Sequence, residues 1–453
     1  MADVSITRRA LLEQGMTAVA LTAAAASLAH AQHAGMVMPP PAKPAAPVAP
    51  STKAPPRRRH RSPGVPRRDY TPVITPNGAT LPFRIVDDVK VFHLVAGVVE
   101  HEFAPGLTAT CWGYNGRTPG PTIEAVEGDR VRIYVTNRLP EPTTVHWHGL
   151  LVPSGMDGVA GVSQTPIPSG ETYKYEFDLP DFGTYMYHPH FDEMTQQALG
   201  MMGMFVVHER AARRRPDKDF VMMSSEWKMK LGTTRPDPNE MTEFNVLTFN
   251  SKSFPGTAPL VIQRNDDVRI RFGNLSAMSH HPIHVHGLRW QVVATDGGPI
   301  PAIAQLPETT TLVPVGTTRT VEFTAAVSGD WAMHCHMTHH TMTQMGHSGV
   351  NLIGVDETKI DGATATILPQ YMTMGHTGMG DMGTMGMSVP RNSIPMLGTS
   401  GPKGHIDMGG MFTLLKVRDR VSGQVDPGWY VDEPGTVARA ATADDLRRDG
   451  VTI

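Results

Sequence analysis

Cysteine is almost absent: Cys111 and Cys335 are the only two in 453 residues. That allows one disulfide at most, even in an oxidising compartment. Cys335 has a better use, given below, so Cys111 is left without a partner and reads as a small buried residue in a strand. Net charge is also small, formally −3, with acidic and basic residues interspersed apart from a basic run at Arg57–Arg61. Nothing in that balance argues for a nucleic-acid partner. Beyond the N-terminus no apolar stretch is long enough to cross a bilayer, so the mature chain is expected to make no stable membrane insertion.

The N-terminus reads as an export signal over residues 1–31. Arg8 and Arg9 form a twin arginine, an apolar run extends from about Met16 to Leu28, and Ala29-His30-Ala31 closes it as a small-residue cleavage site. The expected destination is a periplasm. Residues 32–69 are rich in Pro, Ala and Arg, a composition that cannot bury a core and reads as a disordered linker.

From Tyr70 the texture changes to short segments rich in Val, Ile, Thr and aromatics, broken by Gly, Pro and Asn. Thr122–Val126, Val131–Thr136, Tyr173–Phe177 and Met204–His208 are strand candidates in the first half. After the charged connector Glu209–Lys218 the pattern restarts with Val268–Phe272, Trp290–Thr295, Thr318–Phe323 and Val350–Val355. Repeated short strands between turn signals predict an all-β fold of two related sandwiches, residues 70–209 and 219–357. The remainder, 358–453, is a methionine- and glycine-rich extension. Nine methionines from Met372 to Met411 lie there with His376 and His405, and Met411–Val417 is a candidate last strand.

Four motifs place histidine at alternate positions: His146-Trp147-His148, His188-Pro189-His190, His284-Val285-His286 and His334-Cys335-His336. Random scattering of the histidines would give about one such motif, so four need a cause. Residues i and i+2 of a strand share a face, and each pair presents two imidazoles to one site. Imidazole suits copper, zinc, iron or nickel. Cys335 narrows the choice. With His281, His340 and Met345 it offers two imidazoles, a thiolate and a thioether, the ligands of a blue-copper centre. Its side chain points away from His334 and His336, so the sulfur is linked through backbone to imidazoles serving a different site. Zinc has no redox chemistry to use that link.

At these residues the chain resembles the multicopper oxidases, through HWHG (His146–Gly149), HPH (His188–His190), HPIHVHG (His281–Gly287), HCHMTHHTMTQM (His334–Met345) and GYNGRTPGPTI (Gly113–Ile123). The resemblance implies two cupredoxin-like Greek-key sandwiches and four coppers per functional unit. His281, Cys335, His340 and Met345 would bind type 1 copper, and His146 and His284 type 2. His148, His188, His190, His286, His334 and His336 would bind the type 3 pair. Family spacing from the cysteine selects His340 over His339. Asp157 stands where relatives keep an acid near the cluster, a candidate proton relay; it also precedes Gly158 as a turn residue would. Asp192 and Glu193 are candidates to orient imidazoles. Two departures from the family pattern are Gln344, where a glycine usually precedes the axial methionine, and Thr341, where some relatives carry an acid.

The gap from His190 to His281 is too short for a third sandwich, and Pro189 occupies the place of a type 1 cysteine in domain one. The resemblance is therefore to the two-domain, small-laccase branch, in which clusters form between neighbouring subunits of a homotrimer. It implies dioxygen as acceptor and a small reducing substrate, phenolic or Cu(I), the latter favoured by the soft thioethers of the methionine-rich segment. A copper nitrite reductase and a copper-storage protein are the alternatives.

Overall fold

The computed structural model describes residues 62–230, 233–240, 242, 244–342, 363, 366, 391–395 and 398–453. The export signal, most of the linker, the candidate strand Val350–Val355, Met345 and most of the methionine-rich segment lie outside the described residues.

The first sandwich is built from β1 (Phe83–Val86), β2 (Val89–Ala104), β3 (Leu107–Tyr114), β4 (Ile123–Val126), β5 (Arg130–Asn137), β6 (His146–His148), β7 (Thr172–Asp178), β8 (Gly183–His188) and β9 (Gly203–His208). One sheet runs β1-β2-β5-β7 with β3 on the far half of β2; the other runs β4-β9-β8-β6. Strand β5 shows why a sheet forms here. In Arg-Val-Arg-Ile-Tyr-Val-Thr-Asn every second side chain is buried, so Val131, Ile133 and Val135 enter the core while the arginines stay outside. Trp147, Tyr187 and Phe205 from the opposing sheet meet them. Each such fully buried side chain contributes about 1.5–3 kcal/mol relative to exposure.

The second sandwich comprises β10 (Lys218–Trp227), β11 (Val246–Phe249), β12 (Leu260–Gln263), β13 (Asp267–Asn274), β14 (His281–Val285), β15 (Trp290–Thr295), β16 (Gly298–Pro299), β17 (Leu306–Glu308), β18 (Thr310–Val313), β19 (Thr318–Thr324), β20 (Gly329–Cys335) and, much later, β23 (Phe412–Arg418). Between them a hairpin joins β21 (Thr399–Gly401) to β22 (Gly404–Ile406). One sheet is β11-β10-β13-β19-β15-β16 with β17 on β15, and the other is β12-β23-β20-β14-β18. Ile270, Ile283, Val321, Met333 and Cys335 fill the space between the sheets.

A third core joins the sandwiches, with Cys111, Met186, Met202 and Met204 of the first packed against Val221, Met223 and Trp227 of the second. Cys111 is fully buried in β3, and burial pushes its thiol up to about 12. Among the described residues no helix is long and apolar enough to cross a membrane. The chain ends in an exposed stretch carrying a short helix, Ala443–Arg448, closed by a Thr442/Asp445 capping box.

Candidate metal centres

Strands β6 and β8 are antiparallel neighbours whose register sets His146 opposite His188. His148 lies two residues along β6 on the same face, and His190 follows β8. The four rings gather: His146 is 5.7 Å from His148, 5.4 Å from His188 and 5.7 Å from His190 between centroids. His148 Nδ1 and His188 Nε2 are 3.2 Å apart. Trp147, on the opposite face of β6, is fully buried in the first core and anchors the strand.

Strands β14 and β20 repeat this arrangement. His284 stands opposite His334, and the rings of His286, His334 and His336 lie 5.0, 5.6 and 5.4 Å from that of His284. His286 Nε2 is 3.3 Å from His334 Nε2. Even the secondary contacts are duplicated: His188 Nδ1 is 3.0 Å from the Pro189 carbonyl, and His334 Nδ1 is 2.9 Å from the Cys335 carbonyl. Pro189 is thus the structural counterpart of Cys335. Both quartets have their rings gathered within themselves, and no ring contact joins the two among the described residues.

The third centre lies inside the second sandwich. Cys335 faces Ile283 across the β14–β20 ladder, so its sulfur enters the core rather than joining the quartet. Two nitrogens meet it there: His340 Nδ1 at 3.4 Å and His281 Nδ1 at 3.7 Å, themselves 3.2 Å apart. His281 starts β14, and His340 sits in a 3₁₀ turn, Thr338–Thr341, that directly follows the HCH motif. All three residues are buried. Burial holds His281 well below the ordinary imidazole value and His340 down to about 4, keeping both neutral with a lone pair to offer. It pushes the Cys335 thiol up to about 12, so a bound cation must displace that proton. His339 is exposed and meets the His340 ring edge to face at 4.4 Å between centroids.

Neighbouring groups fix how the rings are presented. His146 Nδ1 donates to the Asp157 carbonyl at 2.8 Å, with an Asp157 carboxylate oxygen at 3.4 Å. Gly158 makes that approach possible, because a Cβ there would lie 1.8 Å from the Val145 carbonyl oxygen. His284 Nδ1 lies 2.9 Å from both the Thr309 carbonyl and Thr310 Oγ1. Glu193 opens a helix, Glu193–Ala198, and brings its two oxygens to 3.3 Å from His188 Nδ1 and 3.7 Å from His190 Nε2. Asp192 precedes that helix as its N-cap in the left-handed region, its side chain making no cap hydrogen bond. Sequence reasoning missed Ser276, whose Oγ is 2.6 Å from His281 Nε2; a lone serine five residues before a histidine carries no signal of that contact.

These donors fit copper. A soft sulfur with two imidazoles suits a cation cycling between one and two charges, and the quartets offer only imidazole. Fold and sites together define a class: a metal protein of two cupredoxin-like sandwiches, with one mixed sulfur–nitrogen centre and two all-imidazole ones.

Comparison with known proteins gives the class its family. One multicopper oxidase family profile matches residues 97–212 and a second matches 230–352, together just over half of the chain. Copper resistance protein A of Escherichia coli is 30% identical over 233 residues, 40% of this chain and 38% of that protein. The multicopper oxidase mgLAC is 27% identical with a TM-score of 0.55, over 77% of this chain and 91% of that one. The blue copper oxidase of Nitrosomonas europaea shares the fold at 23% identity and a TM-score of 0.54, covering 80% of this chain and 94% of that one. The chain belongs to the multicopper oxidase family, and copper is the metal that membership implies. It spans about two-fifths of the length of the curated relatives it matches.

Proposed function

We propose that this protein is an oxidase that takes single electrons from a small reducing substrate at the His281–Cys335–His340 centre and uses four of them to reduce dioxygen to water at the histidine quartets. The observation that carries this reading is the sequence His334-Cys335-His336 on one strand, with the sulfur in the core beside His281 and His340 and the two imidazoles in the quartet. Copper, when bound, supplies one-electron redox chemistry at the first centre and dioxygen binding at the second.

The chain's own residues do the rest. With His281, Cys335 and His340, Met345 would hold the type 1 copper. His146 and His284 are the proposed type 2 ligands, and His148, His188, His190, His286, His334 and His336 the type 3 ligands, for four coppers per functional unit. Cys335 gives electrons a covalent path through one residue of backbone to either flanking imidazole. The Asp157 carbonyl and Thr309–Thr310 hold Nδ1 of His146 and His284, leaving Nε2 of each for the metal. The Asp157 carboxylate, partly exposed and 3.4 Å from His146 Nδ1, would pass protons from solvent to the quartet side.

Each quartet offers four imidazoles, and the absence of ring contact between them within one chain supports a cluster assembled between subunits. Domain one of one copy would face domain two of the next, and three such contacts close a ring. The twin arginine and small-residue site support export to a periplasm. The name of the Escherichia coli relative and the methionine-rich segment support Cu(I) as a donor beside phenols. Nitrite reduction and copper storage are not favoured. The first calls for a type 1 cysteine where Pro189 stands, and the second has no use for a sulfur linked to two quartet imidazoles.

The test is to load the purified protein with copper and record visible absorption, sedimentation and oxygen uptake with Cu(I) and with a phenol. An intense band near 600 nm (roughly), the mark of a thiolate–copper centre, together with a trimer and oxygen consumption, is expected. A blue protein that consumes no oxygen with either donor overturns the reading.

A further inference from the structure

Strand β10 ends with a buried acid that neither proposed copper centre uses. Glu226, its penultimate residue, is 6% exposed. Its Oε1 accepts two backbone hydrogen bonds, from Met278 N at 2.7 Å and Ser279 N at 3.0 Å. Its Oε2 is sealed from solvent with no hydrogen-bond partner, and no Lys or Arg lies within ion-pair distance of the carboxylate among the described residues. A carboxylate in such a place costs several kcal/mol of desolvation that a cation normally offsets. Holding two N–H groups does not by itself call for that charge, because a neutral amide oxygen also accepts them, though more weakly.

The residues that Glu226 grips point to what the charge does. Asn274, fully buried at the end of β13, clamps the same loop from the other side: Oδ1 accepts from Ser276 N at 2.9 Å, and Nδ2 donates to the Ser279 carbonyl at 3.0 Å. Between these clamps Ser276 Oγ meets His281 Nε2 at 2.6 Å. That contact occupies the outer ring nitrogen and turns Nδ1 toward the Cys335 sulfur. The orientation of His281 therefore depends on residues 276–279, and those depend on Glu226 and Asn274. The carboxylate is thus separated from the ring that faces the Cys335 sulfur only by this short loop.

We infer that Glu226 is a positioning residue for the mixed sulfur–nitrogen centre: it fixes the loop that orients His281, and its buried charge lowers the reduction potential there. The inference rests on the type 1 copper reading given above. Nearby negative charge favours the more positive state of the metal, and a dry surrounding leaves that effect weakly screened. The charge is thus set to tune the centre toward easily oxidised donors.

Two variants of the copper-loaded, full-length protein separate the effects, with the midpoint potential read by redox titration of the blue band. E226Q keeps the oxygen that accepts from Met278 and Ser279 but removes the charge. It is expected to retain the band and to shift the one-electron equilibrium about tenfold toward the reduced centre, 59 mV. E226D keeps the charge on a shorter arm. It is expected to hold the midpoint within about threefold while broadening the copper EPR signal as His281 loosens. A midpoint in E226Q within twofold of the parent overturns the charge role, and an unbroadened E226D signal overturns the positioning role. If E226Q does not fold, E226D still decides: a midpoint displaced as far as tenfold overturns the proposal. A parent protein without any blue band removes the type 1 reading itself, an outcome distinct from all of these.

Discussion

Asp157 meets His146 with two different groups: its carbonyl accepts from Nδ1 at 2.8 Å, and its carboxylate lies 3.4 Å from the same nitrogen. The first contact is backbone and survives any side-chain change. D157N and D157A are therefore expected to keep full copper content and the blue band while oxygen uptake falls about 10²-fold, the usual worth of a positioned proton donor. Unchanged uptake in both would remove Asp157 from the proton path.

The glycine beside it behaves differently. Gly158 has φ +85°, and a Cβ there would meet Val145 O at 1.8 Å. G158A is expected to cost about 1–3 kcal/mol for the backbone alone, with further loss from the clash. Thermal melting together with copper analysis checks this, since the displaced loop also frees His146.

Trp147 stands between two quartet histidines and is fully buried, with an indole nitrogen that has no hydrogen-bond partner. W147A is expected to lose about 3–5 kcal/mol, the range for removing a large core aromatic. W147F is expected to lose far less, because no hydrogen bond is broken. Urea midpoints distinguish the two, and equal losses would place the cost outside packing.

Cys335 and its counterpart Pro189 give a paired prediction. C335S abolishes the blue band completely while leaving both quartets intact. P189C creates no second band, because the residues matching His281 and His340 by spacing in domain one are Thr143 and Met194, and Thr143 is already bonded to Gln196 at 2.7 Å. Visible spectra of the two variants settle it.

Burial holds His101 and His340 down to about 4 and His188 to about 3. Below the ordinary imidazole value of about 6.5 the unfolded chain takes up protons that the folded chain refuses. Stability of the copper-free protein is then fully present above pH 6.5 (roughly) and is lost progressively as pH falls toward 4, by linkage. Urea midpoints at several pH values test the slope. Bound copper keeps protons off its histidine ligands in the folded state while the unfolded chain takes them up, so the loaded protein, though more stable, is expected to lose stability more steeply over the same interval.

Strands with clean alternation were legible to within a residue or two. Val131–Thr136 extends to Arg130–Asn137, Trp290–Thr295 is unchanged, and Met411–Val417 becomes Phe412–Arg418. Local pattern could not show their partners. Strand β23 pairs in parallel with Leu260–Gln263, which it follows by some 150 residues, and antiparallel with β20. Histidine spacing brought both quartets and the Cys335 centre into view, since each motif lies on a strand where i and i+2 share a face. What orients the rings did not appear, because it comes from carbonyls and from polar side chains such as Ser276, Asn274 and Glu226 that are ordinary in sequence and distinctive only by position.

Far along the sequence from Met342, residues 409–411 return to the strand and turn that carry Cys335 and His340. On return, Gly409 N donates to the Thr341 carbonyl, Met411 N to the His340 carbonyl and Cys335 N to the Met411 carbonyl. Gly410, at φ +57°, has no room for a side chain against His340. Two segments far apart in sequence are thus buckled together at the metal loop itself. Such a buckle ties the backbone of His340 to a stretch of sequence far beyond its own short turn, so two separate parts of the chain must fold before that ring is fixed. The imidazole that stands closest to the sulfur is thus the last thing the second sandwich completes.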